Sequence, residues 1–211
     1  MNHVHANAAL RLSRARLVAP LLCAGLAACV TPPSIAPGAA PAGAYRLDPA
    51  HASLIWRVGH GEGLSSYAAR FDRFDAALDF DPAAPEDARL DVAIEAASVS
   101  TGDPDFDAQI AQAVFGAETY PEIRFASTGV AVTGEASAEV TGDLTFRGVT
   151  APVTLDVTYN GGANDPLRRA DVIGFSATGA VDRTAFGATA YVNFGVGAEV
   201  ELQIEAEFLK Q

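Results

Sequence analysis

The chain has 211 residues, 49% of them hydrophobic and 19% charged, with a formal net charge of -12. Disordered chains combine low hydrophobicity with high charge, and nucleic-acid binders present a basic face, so this composition excludes the first class and argues against nucleic acid as a partner. Aromatic residues make up 8% while Gly numbers 19, and the wealth of Val, Thr and Ala suits strands and turns in one β-rich domain.

Residues 1–28 hold no acidic side chain. Arg11, Arg14 and Arg16 precede an apolar run from Leu17 to Ala28. That run is far shorter than the ~20 residues a spanning helix needs, and basic residues followed by a short apolar stretch are the pattern of an export signal. Its end, Leu26-Ala27-Ala28-Cys29, resembles a bacterial lipobox, which implies cleavage before Cys29 and a lipid anchor on its thiol. An ordinary signal cut nearby would instead leave a soluble periplasmic protein. Cys23 would be removed and Cys29 lipidated, so the mature chain would contain no disulfide. An acidic surface is repelled by anionic lipid, so membrane attachment would rest on the acyl chains. Val30 follows the cysteine where, in enterobacterial lipoproteins, an acid retains the protein at the inner membrane; residence at the outer membrane is therefore expected. Residues 29–44 then read as the lipidated cysteine and a Pro/Ala-rich tether, with a reach of about 45 Å at ~3.1 Å per extended residue.

From Tyr45 onward the pattern has period two. Leu54, Trp56 and Val58 alternate with Ile55 and Arg57, Leu90, Val92 and Ile94 with Asp91 and Glu95, and Val153, Leu155 and Val157 with Thr154 and Asp156. These are half-buried strands. Further strands fit 74–80, 123–127, 136–146, 172–180 and 200–208, the last with one greasy and one acidic face. Asn160-Gly161-Gly162 is a turn signal. One helix is expected over about 103–115, with Asp103 as N-cap, Pro104 at its first position, Asp107 favouring its dipole, and Gly116 ending it. About eight antiparallel strands and one short helix suit a closed barrel able to hold a small ligand, and suit a two-sheet sandwich equally.

Few motifs point to catalysis or metal. His51 and His60 are the only histidines past the export segment, too few for a metal site, and structural hydrogen bonding is expected of them. Gly59-His60-Gly61-Glu62-Gly63 lacks the last glycine and the βαβ setting of a phosphate cradle, so it reads as a flexible loop. Gly174-Phe175-Ser176-Ala177-Thr178 lacks the closing glycine of a nucleophile elbow. Asp79, Asp81, Glu95 and the acids of 201–207 alternate with apolar residues as solvated faces do. Arg70, Arg73, Arg147 and Arg183 stand out in a chain whose only lysine is Lys210; Arg70 is the strongest candidate to fork onto a ligand headgroup at a barrel rim.

Blocks along 45–211 carry a resemblance. Tyr45-Arg46-Leu47-Asp48-Pro49-Ala50-His51 opens it, Leu54, Trp56, Val58 and His60 continue it, and Phe71 to Pro82 and Ala97 to Gly102 with Asp107 follow. Phe115 with Tyr120 to Thr128, Thr141 to Val153, Gly174 to Ala177 and Asp182 to Gly187 complete the order. Together they resemble the YceI-like family. That resemblance implies an eight-stranded antiparallel lipocalin-like barrel, with an apolar tunnel for polyisoprenoids or other long-chain amphiphiles, in exported and mostly non-enzymatic proteins that need no cofactor. It also implies that the segment 61–69 holds a loop near the tunnel mouth. Ala52, Ala69, Gln109 and Gly116 depart from the family pattern and bear on which ligand is taken.

The expected function is to sequester or carry a polyisoprenoid, isoprenoid quinone or fatty-acid-like lipid in the cell envelope. With the larger residues of each strand turned inward, the expected lining is Leu54, Trp56, Val58, Leu78, Phe80, Val92, Ile94, Phe125, Leu144, Phe146, Leu155, Val157 and Phe175, with His60 and Arg70 at the mouth. The rival is a solid-cored domain that binds a protein partner and has no cavity.

Overall fold

The computed structural model describes residues 41–211. The expected export signal, Cys29 and most of the tether lie outside the described residues. The strands are β1 (Gly43–His60), β2 (Ser65–Phe71), β3 (Phe74–Phe80), β4 (Arg89–Glu95), β5 (Val99–Ser100), β6 (Glu122–Val132), β7 (Ser137–Phe146), β8 (Val149–Asp165), β9 (Ala170–Asp182) and β10 (Glu199–Lys210). Between β5 and β6 lies one helix, α1 (Pro104–Ile110), which runs on through a wider π-turn at Ala111–Phe115.

Antiparallel neighbours follow chain order from β3 through β4, β6, β7, β8 and β9 to β10. Pairing of β10 with β1 then closes the ring, from Tyr45 opposite Lys210 to Val58 opposite Val200. The other flank of β1 is shared. Gly43–Arg46 pair with β3, and Leu54–His60 pair with β2, so β2 and β3 act as one bent strand beside a long β1. The result is an eight-stranded closed barrel, which leaves no unpaired edge along its seam. Closure decides against the sandwich that periodicity alone allowed.

Sequence explains most of this. Alternation sends Val200, Leu202, Ile204, Ala206 and Phe208 inward while Glu199, Glu201, Gln203 and Glu205 stay exposed. Arg147 and Gly148 link β7 to β8, both with positive φ (51° and 74°), the conformation of a two-residue turn whose twist matches its strands. Asp103 caps α1 by accepting from the Asp105 amide (3.0 Å). Gly116 ends the π-turn in the left-handed region (φ 61°), a conformation that side chains other than glycine's rarely adopt. Asp107 lies in the first turn as expected, and its carboxylate also accepts from the Thr101 amide (2.5 Å), tying the helix back to the preceding loop.

Three expectations are corrected. Asn160-Gly161-Gly162 is no turn: β8 continues through it, with a bulge at Asn160 that shifts the register between Tyr159 and Gly161. A Cβ on Gly162 would lie 3.0 Å from Tyr159 Oη, so the glycine serves a close approach inside a strand. The expected 61–69 loop is a tight turn at 61–64, and the rest is β2, which pairs with β1. The tether was expected to run to residue 44, but β1 begins at Gly43.

Candidate lipid tunnel

The interior is hollow. One chamber of about 420 Å³ lies toward the end of the barrel where β1 begins, and a second of about 430 Å³ lies toward the end where β1 turns into β2. Both fall in the size range of ligand sites, ~300–1,000 Å³. Leu54, Ile94, Leu144 and Leu202 line both, so the chambers meet at a waist made by these four side chains. A solid core, the rival expectation, is not what the closed sheet encloses.

Chamber one is walled by Leu78, Phe80, Val92, Phe125, Leu155, Val157 and Phe175 among the residues expected from sequence. Several of these, including Val92, Val157 and Phe175, are only half-buried although they point inward, because they face open space rather than packed neighbours. Phe125 of this wall packs directly over Gly142, where a Cβ would lie 2.4 Å from its Cζ. Val132, 51% exposed, also lines this chamber, which therefore reaches the surface by the β6–β7 hairpin. The only formal charge in its lining is Glu135.

Chamber two takes Trp56, Val58, His60 and Phe146 from the expected set. Its wall is aromatic. Phe115, delivered by the π-turn, meets the rings of Trp56, Phe71 and Phe146 at 6.1, 5.1 and 5.7 Å, and Tyr67 bridges Trp56 and Phe106 of α1. Phe194, 82% exposed, brings this chamber to the surface at the opposite end.

Arg70 is the expected site residue that the structure places elsewhere. It sits on the outer face, its side chain 62% exposed and paired with Asp72 at 2.7 Å, and lines neither chamber. The alternation of β2 is the reason: Ala69 and Phe71 are buried, and Arg70 between them points out. Arg73 pairs with Glu95 (2.6 Å), and Arg147 donates to the Val114 carbonyl (3.0 Å). Arg183 is the arginine of the tunnel. It is 5% exposed and lines chamber two, and burial pushes its pKa down.

The two histidines separate. His51 Nδ1 lies 2.8 Å from Asp48 Oδ2, in a bulge of β1 that Arg168 clamps by donating to Asp48 (2.8 Å), Asp165 (2.7 Å) and Glu207 (2.7 Å). Asp48, His51 and Glu207 are close enough together to suggest a cation site, but the Arg168 guanidinium already supplies the cation. Burial alone would raise the Asp48 carboxyl; hydrogen bonds from Arg168, His51 and the Ala50 amide take it below the usual carboxylate range. His60 is exposed and belongs to the rim of chamber two. Ser176, in the expected non-elbow, donates to Glu205 (2.6 Å) on the outer face.

Residues 45–208 match the YceI-like domain. The chain belongs to that family. A UPF0312 protein of Pseudomonas putida (strain GB-1) is 38% identical over 180 residues, covering 82% of this chain and 90% of the relative. Among solved structures, Burkholderia cenocepacia BcnA is similar with a TM-score of 0.66 and 25% identity, covering 76% of this chain and 98% of BcnA. A Campylobacter jejuni YceI protein has a TM-score of 0.63 and 30% identity, over 70% and 87% of the two chains. A polyisoprenoid binding domain from Saccharophagus degradans shares the fold at 15% identity, with a TM-score of 0.63 over 80% of this chain and 99% of that one.

Within the YceI-like domain, sequence reasoning missed Gln109, Tyr191 and Phe194 at chamber two, and Val130, Val132 and Tyr159 at chamber one. Gln109, one of the four departures from the family pattern, donates to Tyr191 Oη at 2.8 Å. Ala52 pairs with Ala206, and Ala69 is buried opposite Trp56. The helical stripe and the alternation of β6 held signals for Phe106 and Val130. Nothing periodic marks 187–198, the segment that supplies Tyr191 and Phe194.

Proposed function

We propose that this protein binds a long-chain amphiphile, a polyisoprenoid, isoprenoid quinone or fatty-acid-like lipid, along the barrel axis and sequesters or carries it in the cell envelope. The observation that carries this reading is the pair of apolar chambers joined at the Leu54, Ile94, Leu144 and Leu202 waist. A chain threaded through both transfers methylenes from water into a hydrocarbon wall at ~0.8 kcal/mol each, so a dozen carbons offset the cost of association. The name of the Saccharophagus domain supports the same class of ligand. No bond needs to be made or broken, and no cofactor is needed. In this reading the export signal ends at residue 28, and acylation of Cys29 anchors the domain, favouring the outer membrane.

Solvent extraction of the exported full chain carrying Cys29→Ala, purified without detergent, followed by mass spectrometry, tests the binding. A long-chain lipid near one equivalent is expected, depleted in a folded Leu144→Asp variant. A wild-type interior that is empty and also refuses added polyprenyl and fatty-acyl chains would overturn the reading. Radiolabelled palmitate incorporated by the native chain and lost on Cys29→Ala would place the anchor.

A further inference from the structure

Two of the most exposed large apolar side chains sit together at one end of the barrel. Leu64, 85% exposed, closes the turn between β1 and β2, and Phe194, 82% exposed, belongs to the short helical turn Val192–Phe194 ahead of β10. Backbone hydrogen bonds join the two segments: the Glu62 amide donates to the Gly195 carbonyl (3.2 Å) and the Gly197 amide to the Gly59 carbonyl (2.8 Å). Each turn is also fixed from within, the Leu64 amide donating to the Gly61 carbonyl (3.2 Å) and the Phe194 amide to the Tyr191 carbonyl (2.9 Å). Tyr191 enters its turn at a φ of 64°, a costly conformation for an aromatic residue. The loop therefore holds Phe194 outward through bonds and strain, although a hollow apolar chamber of about 430 Å³ lies beside it. Bulky apolar groups fixed in water mark a surface that meets something apolar.

Charge sets this end apart from the other. Residues 184–198, with Tyr191 and Phe194 among them, are the longest uncharged run of the described residues. The paired turn 61–64 brings one carboxylate, Glu62, whose exposed side chain can stay in water. At the opposite end Leu167 is 88% exposed, but it lies between Asp165 and Arg168, which pair with each other (2.7 Å), and Arg169 follows. Covering Leu167 would strip water from those charges, whereas covering Leu64 and Phe194 strips it from hydrocarbon. Asp103 and Asp105, exposed at the start of α1, add to Glu62 and disfavour an anionic surface. Phe194 also joins the wall of chamber two, so apolar surface runs unbroken from the hollow to the outside. A long-chain amphiphile has its source and its sink in a bilayer, and a mouth pressed against lipid lets the chain pass without crossing water.

We propose that this end of the barrel docks on a zwitterionic lipid surface, with Leu64 and Phe194 entering the interface and chamber two opening onto it. This rests on the tunnel binding long chains at all. It adds the surface that the protein touches and the end through which the chain is exchanged.

The test uses the chain from residue 30 onward, which contains the whole closed barrel and lacks the expected anchor. An anthroyloxy-labelled stearate is passed between this chain and phosphatidylcholine vesicles, and energy transfer from Trp56, the only tryptophan and a residue of chamber two, reads the loading. Docking makes the transfer rate rise in proportion to vesicle concentration, whereas release through water makes it independent of that concentration. Leu64 lines neither chamber, so Leu64→Ser should slow transfer at least threefold at unchanged final loading. Leu64→Ser with Phe194→Ser should slow it at least tenfold, and should abolish co-sedimentation with the vesicles. Leu167→Ser should change neither readout, and phosphatidylglycerol added to the vesicles should slow transfer. All three side chains are exposed, so the thermal unfolding midpoint should hold in every variant. A rate indifferent to vesicle concentration, an equal effect of Leu167→Ser, or acceleration by phosphatidylglycerol overturns the docking and leaves the tunnel standing. A dimer broken by the double variant, with transfer unaffected, overturns it by giving the patch to a second copy of the chain. Failure to take up the stearate either from vesicles or from water sinks the tunnel reading, and the proposal with it.

Discussion

Each end of the barrel is organised by an arginine, and the two arginines meet their charge in opposite ways. Arg168, near chamber one, is held among Asp48, Asp165 and Glu207; burial works against its charge, but those hydrogen bonds outweigh it and raise its pKa. Arg183, in the wall of chamber two, is surrounded by carbonyls, and burial lowers its pKa. The first end is neutralised within the chain and closes a seam. The second holds its guanidinium with main-chain dipoles, and the charge of Asp182 acts on it without forming an ion pair among the described residues. The lesson is that a buried arginine can be held by carboxylates or by main-chain carbonyls, with opposite effects on its pKa.

Packing also differs from place to place along the wall. Phe115 is 8% exposed and wedged among three aromatic rings, while Val157 in chamber one is half-buried against open space. Phe115→Ala is therefore expected to cost about 3–5 kcal/mol in urea unfolding, against about 1 kcal/mol for Val157→Ala. Equal losses would erase the distinction between a wall residue packed among rings and one that faces open space.

The next effect is one of pH. Asp48 has a folded pKa below its unfolded one, so on acidification the unfolded chain takes up the proton first. Its contribution is complete above the ordinary carboxylate pKa and is lost as pH falls through the lower folded value. Thermal unfolding followed across the acid range should show this loss, and Asp48→Asn should lower stability near neutrality while flattening the acid dependence. A variant as acid-sensitive as the wild type would mean that the Arg168 cluster does not hold that end.

The smallest effect is expected at Arg70. An exposed pair with Asp72 contributes little, so Arg70→Ala should change stability by less than about 0.5 kcal/mol and leave ligand affinity untouched. Weaker binding of a fatty-acyl chain by the variant would bring Arg70 back to the tunnel and blur the contrast with Arg183.

Much of the wall was legible because alternation is a local signal. Leu54, Trp56 and Val58 on β1, or Leu155 and Val157 on β8, face inward for the same reason that Arg57 and Asp156 face out, and a sheet with one buried side makes that pattern unambiguous. Arg70 was misplaced by the same rule left unapplied: once 65–71 is a strand, Arg70 between Ala69 and Phe71 has to point outward. Gln109, Tyr191 and Phe194 were not legible, because a short helix and an aperiodic loop take their orientation from the barrel end that they cover.

Sequence by itself determined eight of the ten strands and the apolar face of each, the helix with its Asp103 cap and Gly116 stop, and the family to which the chain belongs. Each of these is written in neighbours a few residues apart. Only the tertiary structure decided that the sheet closes on itself through β1 and β10, that its interior is hollow on both sides of a four-residue waist, and that Arg183 rather than Arg70 faces that hollow. Those outcomes depend on residues far apart in sequence meeting across the barrel, where the enclosed volume arises from the whole wall and belongs to no single strand.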